Sequence, residues 1–495
     1  MKPTKNKIIQ DTIHGYITIP SDYCNKIIDT ALFQRLRRIE QTSIRSVYPC
    51  AHHERFVHSL GTYYLGNKIF NHIKYNAEID EDKTTKKALK DKDWEKIGVT
   101  YQLACLLHDC GHAPFSHTLE LRYDKSNDLN KILKDLVDKK QDNNFHDDFD
   151  KQFEANPHEK VSAILLLQNF KEVLEELNAN PFLAARMIIG CKYLDPKDNF
   201  EKIANCFILL LNGGIIDADR LDYAKRDTWA SGYSAIQIDF ERLLSAICIK
   251  YDNKGEDEFK VCFHKKAICD IPRILEIKDF QNSWIFSHHK ILYDQELLIK
   301  SIEQLSKIIA KESCENNLEL SSEDVLKQIF NIEAFQHKCK IGFQDFIYLP
   351  ADGDILYLLK RYIDNNEYAK EWFSRNHRLK PLWKSYHEFF ALFKGLSKDK
   401  LKKNGALDKN AEKNIQSFLE KQNFPKNSYL KKEAKNSTST VDSNKVNIFI
   451  NNEIKNYEEL GIRDNSDSEH YFFYLYIPQE LINKKDDIIK LMRKV

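Results

Sequence analysis

Chain breakers are scarce in this sequence, and this feature constrains the fold more than any other. Only 15 glycines and 12 prolines interrupt 495 residues. Long stretches without these residues allow helices to continue, and the abundant leucine, lysine and glutamate have high helix propensity. In CNKIIDTALFQRLRRIEQ, the apolar residues Ile28, Leu32, Leu36 and Ile39 recur at helical spacing. We therefore predict a mainly α-helical protein.

Two short regions depart from the helical pattern. KIIQDTIHGYITIP alternates apolar and polar residues around His14 and Gly15, which predicts a short N-terminal β-hairpin. Near the other end, VNIFI and YFFYLYIP have strand character. The predicted fold class is thus a helical core with a short N-terminal β-hairpin and a small C-terminal α/β region.

Bulk properties exclude several classes of protein. A hydrophobic fraction of 42% indicates a folded core, and a net charge of +1 excludes a global field that would recruit nucleic acid. No apolar run reaches the roughly 20 residues that span a bilayer, and the first residues lack a signal-peptide pattern. Eleven scattered cysteines do not fit a disulfide framework. We expect a cytoplasmic protein.

The stretch LACLLHDCGHAPFSHTLE carries the densest set of chemically active side chains. His108 and Asp109 follow an apolar helical segment and emerge together where that helix ends. The Gly-Pro turn beyond them would fold His112 and His117 back toward the same place. An isolated His-Asp pair also fits a capped helix end, so the stretch alone leaves both interpretations open.

Other histidines and aspartates extend this stretch into a metal-binding pattern. His58 lies in HERFVHSLG, and Asp219 lies in GIIDADRLDYAKRD. Imidazole and carboxylate ligands together suit a hard or borderline divalent cation. The order His, then His-Asp, then Asp, each on an apolar helix, resembles the pattern of the HD-domain phosphohydrolases.

Six ordered motifs resemble a narrower group within that class. DTIHGYI, FQRLRRIEQ, HERFVHSLG, LLHDCGHAPFSHTLE, HEK and IIDADRLDYAKRD occur in the order typical of the deoxynucleoside triphosphate (dNTP) triphosphohydrolases. This family includes the vertebrate SAM-and-HD-domain enzyme and bacterial dGTPases, and the similarity covers roughly residues 7 to 300. It implies metal-dependent hydrolysis of dNTPs to deoxynucleoside and inorganic triphosphate, which would control dNTP pools or deplete them in defence against phage.

The resemblance implies a role for each matching residue. The matching metal ligands are His58, His108, Asp109 and Asp219. They would hold one divalent ion, such as Mn, Fe or Mg. The matching catalytic residues are His117, Glu120, His158 and His112. His117 would donate a proton to the leaving oxygen, and Glu120 would be its carboxylate partner, although aspartate is commoner at that position. His112 would reach the substrate phosphates.

Further residues match the family's substrate contacts. They are Arg55, Gln41, Arg220, Tyr223, Asp227, His289 and Tyr293. The arginines would bind phosphate, and Tyr223 with Asp227 would read the sugar. The family's arginine just upstream of the matching histidine is Ile285 here, so that charge is missing. Without the other motifs, DRLDYAKRD would equally fit an exposed, charge-paired helix.

The family also binds an activating nucleotide between subunits. Asp29, Gln34 and Arg37 match part of that allosteric segment, although they would also fit an ion pair on a helix surface. The resemblance thus implies an activating nucleotide and a homo-oligomer, either a dimer or a tetramer. Lysines between Lys398 and Lys435 offer local charge for weak binding of single-stranded nucleic acid.

We expect three parts in the chain. Residues 1–395 would form the HD-domain core with a charged insertion at about 122–156, residues 396–445 a Lys/Asn-rich, linker-like segment, and residues 446–495 a small α/β element. Two other functions fit the same motifs, namely an HD-domain hydrolase of another nucleotide phosphoester and an HD module that senses nucleotides or binds nucleic acid. Because every metal and catalytic position is filled, an inactive module is disfavoured.

Overall fold

The computed structural model contains two compact units that interleave along the chain. It describes residues 5–81, 83–137, 142–152, 155–213, 216–233, 239–252, 258–393, 409–436, 446–460 and 470–493. The first unit comprises Met1–Ile277, Leu305–Arg361 and Asp442–Asp464, and the second comprises Lys278–Gln304, Tyr362–Val441 and Asn465–Val495. The division expected from composition, at residues 396 and 446, does not coincide with these bounds, because composition does not record which distant segments pack together.

Helices form most of the first unit, as predicted. They are α1 (Ser21–Tyr23), α2 (Ala31–Gln34), α3 (Arg55–Ile79), α4 (Thr84–Ala88), α5 (Asp91–Leu107), α6 (Leu121–Ser126), α7 (Leu129–Leu136), α8 (Phe145–Lys151), α9 (Pro157–Leu165), α10 (Lys171–Glu176), α11 (Pro181–Ile189), α12 (Asn199–Leu209), α13 (Ala218–Ala230) and α14 (Phe240–Ser245), followed by α15 (Ile271–Phe280), α16 (His289–Glu315), α17 (Ser322–Ile329) and α18 (Asp352–Arg361). Of these, α15 and α16 have residues in both units.

Three small sheets complete the first unit. Their strands are β1 (Asn6–Asp11), β2 (Gly15–Pro20), β3 (Ile247–Asp252), β4 (Glu258–His264), β5 (Cys339–Ile341), β6 (Asp345–Ile347), β9 (Asn447–Ile450) and β10 (Glu453–Asn456). Strands β1 and β2 form the predicted antiparallel N-terminal hairpin, and β5 pairs with β6. The remaining four follow the order β10-β9-β4-β3, in which β4 and β9 are parallel.

The centre of the first unit is built around α3, which packs against α5 and α13. Close approach of α3 and α5 depends on a glycine, because a Cβ at Gly66 would lie 2.6 Å from the Sγ of Cys105. Cys105 is therefore a packing residue, and Cys110 beside it is also buried. No helix in the described part of the chain combines the length and the hydropathy that crossing a membrane would require.

The charged insertion packs against the core of the first unit and does not simply lie on its surface. Its helices α6, α7 and α8 bury apolar side chains such as Leu133 and Phe145. The buried guanidinium of Arg186, on α11, binds Asp142 through Nε at 2.6 Å and Asp148 through Nη2 at 2.9 Å. A buried ion pair of this kind costs stability when one partner is removed, so it ties the insertion to α11.

The second unit combines helices with one antiparallel sheet. Its elements are α19 (Glu367–Ser374), α20 (Tyr386–Phe393), α21 (Lys409–Lys421), α22 (Lys485–Arg493), β7 (Leu379–Pro381), β8 (Leu430–Asn436) and β11 (His470–Pro478). The strand order is β7-β11-β8. Aromatic side chains of β11 pack around the buried Trp383, whose Nε1 donates to the carbonyl of Phe473 at 2.6 Å.

The prediction of a linker at 396–445 is wrong for the part that the structure describes. Within it, α21 buries Ala411, Ile415 and Leu419 in the core of the second unit, and β8 pairs with β11. These three apolar residues recur at every fourth position, which is helical spacing. The composition of the segment hides this spacing, because many lysines and asparagines lie on the exposed face. Residues 396–408 and 437–445 lie outside the described residues.

Candidate metal centre and active site

The four predicted metal ligands converge in the first unit. His58 lies in the second turn of α3, and His108 and Asp109 follow the end of α5. Asp219 lies in the first turn of α13, which begins where the side chain of Asp217 accepts the N–H of Arg220. A helix cap thus places Asp219, and the end of an apolar helix places His108 and Asp109.

The donor atoms of these residues lie close to one another. Nε2 of His58 is 2.9 Å from Oδ1 of Asp219 and 3.4 Å from Oδ2 of Asp109. Nε2 of His108 is 3.2 Å from Nε2 of His58, and it is 3.4 Å from Asp109 Oδ1 and 3.5 Å from Asp219 Oδ1. Adjacent ligands about 2.1 Å from one ion are roughly 3 Å apart, so these separations suit a shared cation.

Hydrogen bonds fix both imidazoles in the tautomer that a metal ion requires. Nδ1 of His58 donates to Oδ2 of Asp222 at 2.7 Å, and Nδ1 of His108 donates to the carbonyl of Cys105 at 2.9 Å. A carboxylate and a carbonyl only accept, so the Nδ1 atoms carry the protons. Each Nε2 therefore turns a lone pair toward the cluster.

Hydrogen bonds within the cluster shift the pKa values of its imidazole and carboxyl groups. Burial would lower the pKa of His58, but hydrogen bonds to Asp219 and Asp222 raise it to about 10. Burial would likewise raise the pKa of the Asp219 carboxyl, but its bonds to His108 and His58 hold it well below its usual range. The donor atoms of His58, His108 and Asp219 all lie within 4.8 Å of one another, and Asp109 lies 3.4 Å from each imidazole. Nitrogen and oxygen donors of this kind suit a divalent ion.

Asp222 connects this centre to the N-terminal hairpin. Its fully buried carboxylate also binds Nε2 of His14 at 2.6 Å and Nε of Arg226 at 2.8 Å. Arg226 in turn binds Asp11 at 2.8 Å, and Asp11 accepts the N–H groups of the hairpin turn. Sequence analysis assigned Asp222 no role, although it follows Asp219 by three residues and so shares its helix face.

We expect Asp222→Asn to weaken metal binding without removing a ligand. The amide cannot balance the charge of Arg226 or hold the proton of His58 Nδ1 as a carboxylate does, so affinity for Mn²⁺ should fall by about 10- to 100-fold. Titration with Mn²⁺ followed by electron paramagnetic resonance measures this on folded protein. Asp198→Asn, at the exposed start of α12, is the matched control. Equal affinity in both variants would contradict the orienting role of Asp222.

A second group of side chains is centred on Glu120. One of its oxygens lies 3.1 Å from Nδ1 of His117, and the other lies 2.6 Å from Nδ1 of His158. Burial would lower the pKa of His158, but the bond to Glu120 raises it above its ordinary value. The side chain of His117 is 62% exposed, whereas that of His158 is 10% exposed. His117 is therefore the imidazole of this group that faces outward.

His112 joins the two groups. Its ring stacks on His158 with centroids 4.0 Å apart, and its Nε2 lies 3.2 Å from Oδ1 of Asp109. Burial, together with the charges of Arg55 and His158, holds the pKa of His112 well below its usual range. Because the side chain is fully buried, the expected contact of His112 with phosphate stays a prediction.

Arg55 serves protein groups in this structure. Its buried guanidinium binds Oδ2 of Asp109 at 2.7 Å, Oγ of Ser116 at 3.0 Å and the carbonyl of Gln41 at 3.0 Å. Arg55 thus orients the candidate ligand Asp109, and its expected phosphate contact stays a prediction. The amide oxygen of Gln41 is buried and has no hydrogen-bond partner among the described residues.

Three substrate candidates, one for phosphate and two for the sugar, lie on α13 with Asp219. Nη1 of Arg220 binds the capping carboxylate of Asp217 at 2.6 Å. Asp227 is buried and accepts from Nε2 of His53 at 2.6 Å. Tyr223 lies between these two on the same helix. His53 is the first residue of the HERFVHSLG motif, and no role was predicted for it. Nothing in the sequence around His53 indicates a contact with Asp227, which lies 174 positions away.

The remaining substrate candidates belong to the second unit. Nδ1 of His289 lies 3.1 Å from the carbonyl oxygen of Lys384. The hydroxyl of Tyr293 donates to Oε1 of Glu371 at 2.6 Å. Both side chains are buried, and their part in substrate binding stays a prediction.

The predicted allosteric residues make local contacts. Asp29 pairs with Lys7 at 2.9 Å, and both side chains are about half exposed. Nε of Arg37 donates to Oε1 of Gln34 at 2.9 Å, and its guanidinium lies over the ring of Phe56. These contacts fit an ordinary helix surface as well as they fit an allosteric nucleotide site, so the nucleotide site stays a prediction.

Comparisons with known proteins agree with this geometry. The HD domain family model matches residues 55–189, a range that contains every candidate of both groups except Asp219. The deoxynucleoside triphosphate triphosphohydrolase SAMHD1 homolog of Dictyostelium discoideum is 30% identical over 303 residues, which is 60% of this chain and 48% of that protein. The chain thus matches about half the length of this curated relative.

Two solved structures share the fold across nearly the whole chain. A hypothetical protein from Aquifex aeolicus superposes with a TM-score of 0.61 at 19% identity, covering 98% of this chain and all of its own. A phosphohydrolase from Bacteroides thetaiotaomicron gives a TM-score of 0.55 at 19% identity, covering 96% of this chain and all of its own. Residues 55–189 therefore match the HD domain, and nearly the whole chain shares the fold of these two solved structures.

Proposed function

We propose that this protein is a metal-dependent dNTP triphosphohydrolase that releases deoxynucleoside and inorganic triphosphate. The observation that carries the proposal is the junction, through His112, of the metal-ligand cluster with the group of His117, Glu120 and His158. One group suits the binding of a cation and phosphate, and the other suits the movement of a proton. The activity in the name of the Dictyostelium relative supports the same reaction.

The residues of the chain account for the steps around the cation. A divalent ion held by the four ligands would polarise a phosphate oxygen and lower the pKa of water. Glu120 holds Nδ1 of His117, which leaves Nε2 of this exposed ring available to donate a proton. Water adds to the α-phosphorus, the bond from that phosphorus to the 5′ oxygen breaks, and the 5′ oxygen takes the Nε2 proton of the His117 imidazolium. The water-derived group on phosphorus releases one proton to solvent, and His117 regains a proton from solvent after product release.

Selection of a deoxynucleotide would fall to the α13 residues and Gln41. Asp227, held by His53, would accept from a 3′-hydroxyl, and Tyr223 would crowd a ribose 2′-hydroxyl. A buried, unpaired acceptor such as Oε1 of Gln41 favours a ligand that donates to it and disfavours one that does not. The same proposal has three further parts. The protein would control dNTP pools, it would form a homo-oligomer, and it would bind an activating nucleotide at Asp29, Gln34 and Arg37.

A product assay tests the proposal directly. The protein is loaded with Mn²⁺ and incubated with each dNTP and each ribonucleotide in ¹⁸O-labelled water, with and without a second nucleotide. We expect deoxynucleoside and triphosphate, with the label in the triphosphate. Orthophosphate or pyrophosphate alone would instead indicate a hydrolase of another phosphoester. Nucleotide binding without turnover would indicate a sensing module, and stimulation by the second nucleotide would support an activator site.

A further inference from the structure

The loop that carries His117 contains an unusual turn. Phe115 has a φ of +58° and Ser116 has a φ of +50°, so two consecutive residues with side chains adopt the left-handed conformation. Residues with side chains adopt this conformation rarely, and a bulky one such as phenylalanine keeps it only where its surroundings impose it. His117 follows directly, so the direction of its imidazole depends on this turn.

A carboxylate from a distant segment holds the turn. Asp352 is the first residue of α18 and is buried. Its Oδ1 accepts the N–H of Phe115 at 2.6 Å, and its Oδ2 accepts the N–H of Glu40 at 3.0 Å. The hydroxyl of Ser116 donates to the carbonyl of Glu40. These three bonds close a ring, the Asp352 clamp, around the left-handed residues.

Arg35 holds the other end of the same loop. Its buried guanidinium donates to the carbonyl of Cys110 at 3.1 Å and to that of His112. Its Nε donates to the carbonyl of Pro350 at 2.6 Å. Arg35 therefore joins the beginning of the loop to the residues just before Asp352, and the clamp holds the end of the loop.

The Asp352 carboxylate is held in an environment that disfavours its charge. Burial raises the pKa of the Asp352 carboxyl to about 7, although the N–H groups of Glu40 and Phe115 favour its charged form. The fold thus keeps a group whose charging is unfavourable, which is characteristic of positions retained for function. A carboxylate has two acceptor oxygens at the spacing needed to hold both N–H groups at once.

We propose that Asp352 is a positioning residue for His117, which it aims by holding the left-handed turn at Phe115 and Ser116. Asp352 lies outside residues 55–189, the range of the HD domain match. It acts on the reaction only through the backbone of the loop. The kinetic part of this inference rests on the proposed function, whereas the structural part is independent of it.

The test compares two neighbouring carboxylates at pH 8, where Asp352 is mainly ionised. Asp352→Asn turns an N–H₂ group toward one of the two backbone donors and breaks the clamp. Asp354→Asn is the matched control, because Asp354 accepts the N–H of Ala351 at 2.8 Å at the start of the same helix and makes no described hydrogen bond to Phe115 or Glu40. We expect Asp352→Asn to lower kcat by about 100-fold, with KM and Mn²⁺ content close to wild type. Asp354→Asn should keep the wild-type kcat.

Amide hydrogen exchange provides a readout that needs no substrate. The amides of Phe115 and Glu40 should lose protection in Asp352→Asn and keep it in Asp354→Asn. If Asp352→Asn does not fold, Asp352→Glu takes its place, because it keeps the charge but displaces both oxygens, and a reduced kcat is again expected.

Two results would overturn the inference. The first is a kcat of Asp352→Asn within about threefold of wild type. The second is an equal loss of kcat in Asp354→Asn, which would indicate only that the start of the helix is damaged. If the wild-type protein releases no triphosphate, the proposed function fails, and the exchange data alone then decide. Unchanged protection of Phe115 in Asp352→Asn would overturn the positioning role, and its selective loss would support it.

Discussion

Replacing His108 with alanine is expected to remove the bound cation and the hydrolytic activity together. Its Nε2 lies within 3.5 Å of donor atoms on all three other candidate ligands, so His108 is central to the cluster. Without it, one imidazole and two carboxylates remain, a set that holds a divalent ion far less tightly. Because the ion stabilises charge on the reacting phosphate, turnover should fall by about a thousandfold or more.

Metal content and activity are measured on the same preparation. Atomic absorption after gel filtration should show metal at background level in His108→Ala, and the triphosphate assay should show no product. His72→Ala is the control, since His72 lies on α3 with His58 but outside the cluster. Thermal unfolding of both variants separates loss of metal from loss of fold. Full metal occupancy in His108→Ala would remove His108 from the ligand set.

The metal-ligand candidates could be named because their motifs resemble those of a known family, and only the local placement of each one follows from helical period and capping. An apolar helix ends at the His-Asp pair, and a capping aspartate two residues upstream begins the helix that carries Asp219. Helical period and capping describe neighbours in sequence, and the sequence contains both. The four candidates accordingly meet in the structure, while their binding of metal stays a prediction.

The supporting contacts could not be predicted, because they join distant segments. Asp352 reaches Glu40 across 312 positions, and Arg35 reaches Pro350 across 315. Neither period nor motif spacing relates residues so far apart. Arg35 even lies inside the FQRLRRIEQ motif, in which only its neighbours Gln34 and Arg37 match the family's allosteric segment. The same limit contributed to the wrong linker, since β8 finds its sheet partner β11 in a distant part of the chain.

Replacing His117 with alanine is expected to abolish turnover while leaving the cation in place. The side chain is 62% exposed and makes no contact with the metal-ligand candidates in any described hydrogen bond or ion pair, so its removal should cost little stability. Loss of a general acid typically lowers kcat by about 10²- to 10⁴-fold. Mn²⁺ content should equal that of wild type, which distinguishes this variant from His108→Ala.

Leu121→Ala is the matched control, because Leu121 is 63% exposed and lies four residues further along the chain. It should retain wild-type kcat and metal content. A near-normal kcat in His117→Ala would show that another group protonates the leaving oxygen. His158, bound to the other oxygen of Glu120, would then be the first candidate.

The variant Glu120→Gln tests whether Glu120 acts on the reaction through His117, through His158 or through both. The longer side chain of glutamate lets each oxygen reach a separate ring, at 3.1 Å from His117 and 2.6 Å from His158. The neutral amide of glutamine would remove the charged hydrogen bond that raises the pKa of His158. The imidazole of His158 should then release its proton at a lower pH. Nuclear magnetic resonance of the ring protons follows this change. If kcat falls while His158 still titrates as in wild type, Glu120 acts on the reaction through His117 alone.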